Sequence, residues 1–213
     1  PPSIRGIMMP LSEAIQKIHL PSSMEKVERA RERLGFDELF FVSLATQKIR
    51  LEWQKKPLVH PLKINENDLN RFIKSLPFHL TSAQKKVLDD IMSDLKKTQP
   101  MNRLIQGEVG SGKTVVAAVI IYLTHLNGLK SLFMAPTEIL AFQHHDTLSK
   151  LLDPFGISVG IYTGSRKKVG EGDVIVGTHA LLSSKMETDN VGLVIVDEQQ
   201  RFGVEQRSLL RSR

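Results

Sequence analysis

One octapeptide constrains the fold of this chain more than any other part of it: Gly107-Glu108-Val109-Gly110-Ser111-Gly112-Lys113-Thr114. It fills every specified position of the phosphate-binding P-loop, a glycine, four free positions, then Gly-Lys-Ser/Thr. Such a loop works between a strand and a helix N-terminus, where its backbone N–H groups converge on phosphate oxygens at the positive end of the helix. The flanks meet that demand. Residues 103–106, Arg-Leu-Ile-Gln, read as a short strand, and residues 115–126 as an apolar helix closed by Asn127-Gly128, where glycine suits a helix C-terminus. Gly107, Gly110 and Gly112 let the loop around Ser111 turn tightly and expose its amides. Lys113 would then reach the β- and γ-phosphates of a nucleoside triphosphate, with Thr114 on Mg²⁺. The competing reading is a plain glycine turn with a solvated lysine, but a turn alone needs neither Lys113 nor Thr114.

From Phe78 onward, apolar strand candidates at 131–135, 158–162, 173–176 and 193–196 alternate with helical stretches, notably 115–126 and 138–152. A further helix places Val87, Leu88, Ile91, Met92 and Leu95 on one side, ahead of the 103–106 strand. Short, continuously apolar strands between helices predict an α/β domain, its sheet mostly parallel and covered by helices on both faces. Ligands in such sheets sit beyond the carboxyl ends of the strands. The last strand ends there in two adjacent carboxylates, Asp197-Glu198. Adjacent carboxylates repel, so a buried pair needs a cation or strong donors. Beside a P-loop, Asp197 can organise the Mg²⁺ shell while Glu198 orients and helps deprotonate an attacking water.

Residues 1–77 have a different texture, that of a helical extension. Leu11, Ile15 and Ile18 share a face, Ser22 and Glu25 have capping-box spacing, and Leu34-Gly35 predicts a helix end. A third helix is expected over 37–54, its Phe40, Phe41, Leu44, Ile49, Leu51 and Trp53 spread too widely for one stripe and so buried against several neighbours. Pro57 and Pro61 mark a linker, and a short helix at 67–76 stops before Pro77. The ATP-binding domain is expected over 78–213.

Composition adds limits. With 41% hydrophobic residues, the 213-residue chain can bury a sizeable core. The 29 Lys and Arg against 23 Asp and Glu, net +6, are compatible with a polyanionic partner. No cysteine is present, which excludes disulfides and cysteine-ligated metal. The longest apolar run is far short of the ~20 residues a bilayer span needs, and no secretory signal opens the chain, so a cytoplasmic protein without membrane association is expected. Arg166-Lys167-Lys168 reads equally as a phosphate contact or a solvated basic turn. His144 and His145, without partners at ligand spacing, read as surface or packing residues. Gln84 admits two readings: in Thr81-Ser82-Ala83-Gln84 its amide closes a capping box, or it faces an adenine edge.

Six ordered segments then carry a resemblance: residues 78–84 (Phe-His-Leu-Thr-Ser-Ala-Gln), the P-loop, residues 134–141 (Met-Ala-Pro-Thr-Glu-Ile-Leu-Ala), Thr163-Gly164-Ser165, residues 177–181 (Gly-Thr-His-Ala-Leu) and residues 197–204 (Asp-Glu-Gln-Gln-Arg-Phe-Gly-Val). They resemble the motifs of superfamily-two helicases, in wording closest to the RecG family of bacterial ATP-dependent helicases that remodel stalled forks and branched DNA. The resemblance implies a RecA-like first motor lobe with ATP and Mg²⁺ as cofactors. Gln84 would read adenine, Lys113, Asp197 and Glu198 would be catalytic, and Thr114 with Asp197 would hold Mg²⁺. Pro136, Thr137, Glu138, Thr163, Gly164, Ser165, Thr178 and His179 would face one DNA strand, mainly its backbone, and Gln200 with Arg201 would couple the DNA and ATP sites. Residues 11–20 resemble the helix that joins the family's DNA-splitting wedge to the motor.

Three departures stand out. Gln200 occupies the place of a histidine usual in the family, the span between Ser165 and Asp173 is short, and the chain stops before the Thr-Ala-Thr motif and the second lobe with its arginine finger. The fragment alone is therefore expected to bind Mg·ATP weakly, hydrolyse it poorly and unwind nothing, and to be a monomer. The alternatives are the motor of a transcription-repair coupling factor, whose corresponding motif can carry a glutamine at the place of Gln200, and a non-hydrolysing nucleotide- and DNA-binding module.

Overall fold

The computed structural model describes residues 8–55, 62–168, 172–182 and 190–201. Contacts between residues divide the chain into two units, Pro1–Pro57 and Leu58–Arg213. The Pro57–Pro61 linker and the Phe202-Gly203-Val204 end of the last motif lie outside the described residues.

The first unit is a helical hairpin of α1 (Leu11–His19) and α2 (Met24–Gln54), closed through the small buried side chains Ala14, Val27 and Ala30. The α2 cap is Ser23, whose hydroxyl accepts from the Lys26 amide at 3.3 Å, one residue later than the Ser22 cap the sequence suggested. Gly35 does not end a helix; α2 runs through it. Glycine inside a helix costs about 1 kcal/mol relative to alanine. Here the ion pair between Arg33 and Asp37, i to i+4 across the glycine, and the helix formers on both sides offset that cost. The expected burial of Phe40, Phe41, Leu44, Ile49 and Leu51 is not seen among the described residues, where they are 45–65% exposed. Scattered around the helix, they offer no single face that one short neighbour such as α1 can cover.

The second unit contains α3 (Glu66–Ser75), α4 (Ser82–Leu95), α5 (Lys113–Leu126) and α6 (Glu138–Leu152). Its strands are β1 (Lys130–Met134), β2 (Val159–Tyr162), β3 (Lys167–Lys168), β4 (Val174–Gly177) and β5 (Val191–Val196), in the order β3-β2-β4-β1-β5. β2, β4, β1 and β5 are parallel, and the two-residue β3 returns antiparallel along β2. Side chains alternate between the two faces, as strand geometry requires. Phe133, Ile161, Val174, Val176 and Leu193 join the large core with α5 and α6, while Leu132, Met134, Tyr162 and Ile175 meet Leu181 of the 3₁₀ turn His179–Leu182. α5 is apolar on all sides because it is the innermost helix: every residue from Val116 to Thr124 is buried. α3, which the sequence grouped with the extension, inserts Phe72 into this core, its ring 4.8 Å from Tyr122 and 5.0 Å from Phe155.

Residues 103–106 form no strand. Arg103 is tied to α4 through Asp94, Nε to Oδ2 2.6 Å, and Leu104 is 71% exposed. A strand is defined by its pairing, and among the described residues these four pair with none, so β5 is the edge of the sheet. The four parallel strands all end at one edge of the sheet. That edge gathers the segments after β1 (Pro136 to Glu138), β2 (Thr163 to Ser165), β4 (Thr178, His179) and β5 (Asp197, Glu198).

Candidate nucleotide and DNA site

The P-loop geometry follows from its glycines. Gly110 and Gly112 have φ of 82° and 81°, the left-handed region that costs other residues about 1–2 kcal/mol. A Cβ on Gly112 would also overlap Nε2 of Gln84. Gly112 is the N-cap of α5 and has no side chain to satisfy the first turn, so the amides of Lys113 and Thr114 stay available to an external anion. The Lys113 ammonium folds over the loop, donating to the carbonyls of Gly107 (2.8 Å) and Glu108 (2.9 Å). Gln84 closes the capping box of α4: its Oε1 accepts from the Thr81 amide at 2.9 Å, and its own amide donates to Thr81 Oγ1 at 3.2 Å. Its Nε2 also donates to the Ser111 carbonyl at 2.9 Å, bracing the P-loop against α4. A base edge would therefore meet the second Nε2 hydrogen and the second Oε1 lone pair.

Opposite lies the end of β5. The Asp197 amide continues the ladder to Met134 O at 2.8 Å, and its carboxylate accepts from His144 Nε2 at 2.8 Å. The Asp197 carboxyl is held below its ordinary value, first by the His144 hydrogen bond, against the effect of its burial, and further by the His144 charge, the Glu198 amide and the Lys113 ammonium. Glu198 has φ 47°, a strained backbone for a non-glycine residue and a type of strain that clusters at functional sites. Its carboxylate accepts from Arg201 Nε at 2.7 Å, while Gln200 is exposed. Sequence reasoning missed His144, taking it for a surface or packing residue. A usable signal existed: His144 lies three residues after Ala141 and four before Leu148, both fully buried, on the core-facing stripe of α6.

The loops proposed to face DNA are linked by one carboxylate. Glu138, at the start of α6, accepts from the Ser165 amide at 2.9 Å and the Ser165 hydroxyl at 2.5 Å. These bonds, the hydroxyl's first, hold the Glu138 carboxyl below its ordinary value. Thr137 caps α6 through the Leu140 amide at 3.3 Å. Thr163 is buried, its hydroxyl used within its own turn by Arg166, and Thr178 is buried too, which leaves Gly164, Ser165, Thr137 and His179 as the exposed members. Pro136 is half-buried.

These residues suit a magnesium nucleotide. A glycine cradle with free helix-terminal amides and a lysine fits a polyphosphate. Mg²⁺ at such sites keeps several waters and takes one or two protein ligands besides phosphate, as Thr114 and Asp197 would provide. No group of three or more His, Cys, Asp or Glu side chains that could cage a metal occurs among the described residues.

A sheet with a P-loop and an acidic strand end at its carboxyl edge defines a P-loop nucleotide-binding lobe. Residues 81–212 match the family model of the DEAD/DEAH box helicases, and the chain belongs to that family. Within it the chain is similar to RecG. It is 42% identical to the ATP-dependent DNA helicase RecG of Thermotoga maritima over 97% of this chain and 28% of that protein. It is also 42% identical to the ATP-dependent DNA helicase RecG of Bacillus subtilis over 94% of this chain and 31% of that protein. Among solved structures it is similar to RecG bound to a three-way DNA junction, with a TM-score of 0.80 and 42% identity over 92% of this chain and 28% of that one. A hypothetical ATP-dependent RNA helicase from Sulfolobus tokodaii gives a TM-score of 0.51 at 26% identity, over 64% of this chain and 42% of that one. The chain thus spans less than a third of the length of these RecG relatives.

Proposed function

We propose that this chain is the ATP-binding lobe of a RecG-type helicase that moves on branched DNA, in fork reversal and branch migration during repair and recombination. The observation that carries the reading is the P-loop, with its lysine and the free first-turn amides of α5, in one folded unit with the Asp197–Glu198 end of β5, in a chain whose structure is similar to RecG on a DNA junction.

Bound Mg·ATP supplies the energy of the reaction, its γ-phosphoryl group passing to water with ADP as leaving group. Lys113 leaves the carbonyls of Gly107 and Glu108 to meet the phosphates, and the amides of Lys113 and Thr114 orient them. Thr114 and Asp197 would hold Mg²⁺, and Gln84 would face the base. Glu198 turns from Arg201 and accepts the proton of the attacking water. The exposed Thr137 hydroxyl and His179 meet DNA phosphates on a surface whose shape Glu138 sets by holding Ser165, contacts that carry no base sequence and so suit a motor that must pass over every sequence. Arg201 and Gln200 report DNA engagement to Glu198. The cation opposite the γ-phosphoryl group comes from a second RecA-like lobe outside these residues, worth on the order of 10³ to 10⁵ in turnover in nucleotide hydrolases.

The test is ATP turnover of the longest natural form of the protein with forked and with linear DNA. Forked DNA is expected to stimulate turnover more, and Glu198→Gln to remove the stimulated rate while leaving ATP binding intact. Equal rates with and without DNA would refute the motor reading.

A further inference from the structure

We infer that His144 is a positioning residue of the ATP site: it fixes the Asp197 carboxylate in the orientation that receives the metal–nucleotide complex. The inference deepens the function proposed above and rests on it. Asp197 is the first residue beyond β5, its backbone pinned by the amide bond to Met134 O. Its side chain is still free to rotate about two torsions, so a defined carboxylate direction needs a partner. His144 Nε2 provides it at 2.8 Å, engaging Oδ2.

The donor is itself immobilised. The His144 ring lies 4.6 Å, centroid to centroid, from the Phe133 ring of β1, and its helix is seated by the buried Ala141 and Leu148. Both partners are shielded, His144 at 14% side-chain exposure and Asp197 at 22%. A neutral imidazole with its proton on Nε2 suffices, so the arrangement does not depend on His144 becoming charged. The imidazole at this carboxylate comes from α6, whereas the motif that follows Asp197 carries the exposed Gln200. Groups that orient a metal's ligands typically change metal affinity or activity about 10- to 100-fold when removed.

The experiment uses the longest natural form of the protein. It measures the Mg²⁺ concentration giving half-maximal DNA-stimulated ATP turnover, and the affinity for a fluorescent ATP analogue in EDTA. His144→Phe keeps a ring against Phe133 and deletes the donor; His144→Gln keeps an N–H near the position of Nε2. The expected result is a Mg²⁺ requirement raised about tenfold or more in His144→Phe and restored to within about threefold of wild type in His144→Gln, with metal-free affinity unchanged in both. His144→Asn, whose amide stops short of Asp197, should behave like the Phe variant and replaces it if the larger ring is not accommodated. A shift under about twofold, an equal shift in the Gln variant, or a matching loss of metal-free affinity overturns the role of His144. Lys113→Ala in the same series keeps the two levels apart. If it abolishes stimulated turnover while the His144 variants leave the Mg²⁺ requirement alone, only His144 is wrong; if it leaves turnover intact, the ATP-site reading falls and the His144 role with it.

Discussion

Replacing Gly112 with alanine should cost more than the same change at Gly110, and the difference should belong to Gln84. Both glycines have φ near +80°, so each alanine carries the left-handed penalty of about 1–2 kcal/mol. At Gly110 a Cβ meets open space, and nothing further is expected. At Gly112 the Cβ overlaps Gln84 Nε2, and the amide must swing away from the Thr81 amide and the Ser111 carbonyl. Each of those two hydrogen bonds is worth about 0.5–1.5 kcal/mol net, which places Gly112→Ala at about 2–5 kcal/mol in all. Hydrogen exchange of the α4 and α5 amides measures it, since the loss is local to the brace between those helices. Gln84→Ala provides the closing arm of a double-mutant cycle: in its background Gly112→Ala should fall back to the Gly110→Ala value. Equal effects of the two glycine substitutions, or full additivity with Gln84→Ala, would refute the brace.

Phe72→Ala should destabilise the second unit by about 3–5 kcal/mol, because a fully buried ring within an aromatic trio leaves a cavity; lost protection at the α5 amides reads it out. Asp94 is held below its ordinary value by the Arg103 and then the Lys97 hydrogen bonds, so the stability it lends is complete above about pH 3.9 and disappears as pH falls through the lower folded value; acid unfolding followed in wild type and Asp94→Asn should converge there. Glu138→Ala should free Ser165 and raise the DNA concentration for half-maximal stimulation several-fold while leaving the KM for ATP unchanged, as the carboxylate braces the loop proposed to face DNA.

Much of the geometry of the candidate nucleotide site was legible because the P-loop is defined by local chemistry: glycine where φ is positive, lysine and threonine where a helix begins. The parallel sheet was legible from short apolar runs between helices, and the carboxyl-edge placement of Asp197 followed from it. What stayed hidden depended on partners far away in sequence. Gly35 carries a helix-end signal, yet the Arg33–Asp37 pair carries α2 past it. Residues 103–106 have strand character but form no strand, Arg103 being held to α4 through Asp94. Gln84 was weighed between two roles, and the structure shows it capping α4 and bracing Ser111 at once. His144 finds Asp197 53 residues along the chain, a pairing no local pattern specifies, although the α6 stripe marked it as inward-facing.

The central claim is that Lys113 and the Asp197–Glu198 strand end form the working half of an ATP-driven DNA motor. The most direct measurement compares ATP turnover on forked DNA for the longest natural form and its Lys113→Ala variant. The account predicts that DNA-stimulated turnover disappears in the variant; turnover that persists at the wild-type rate would contradict it.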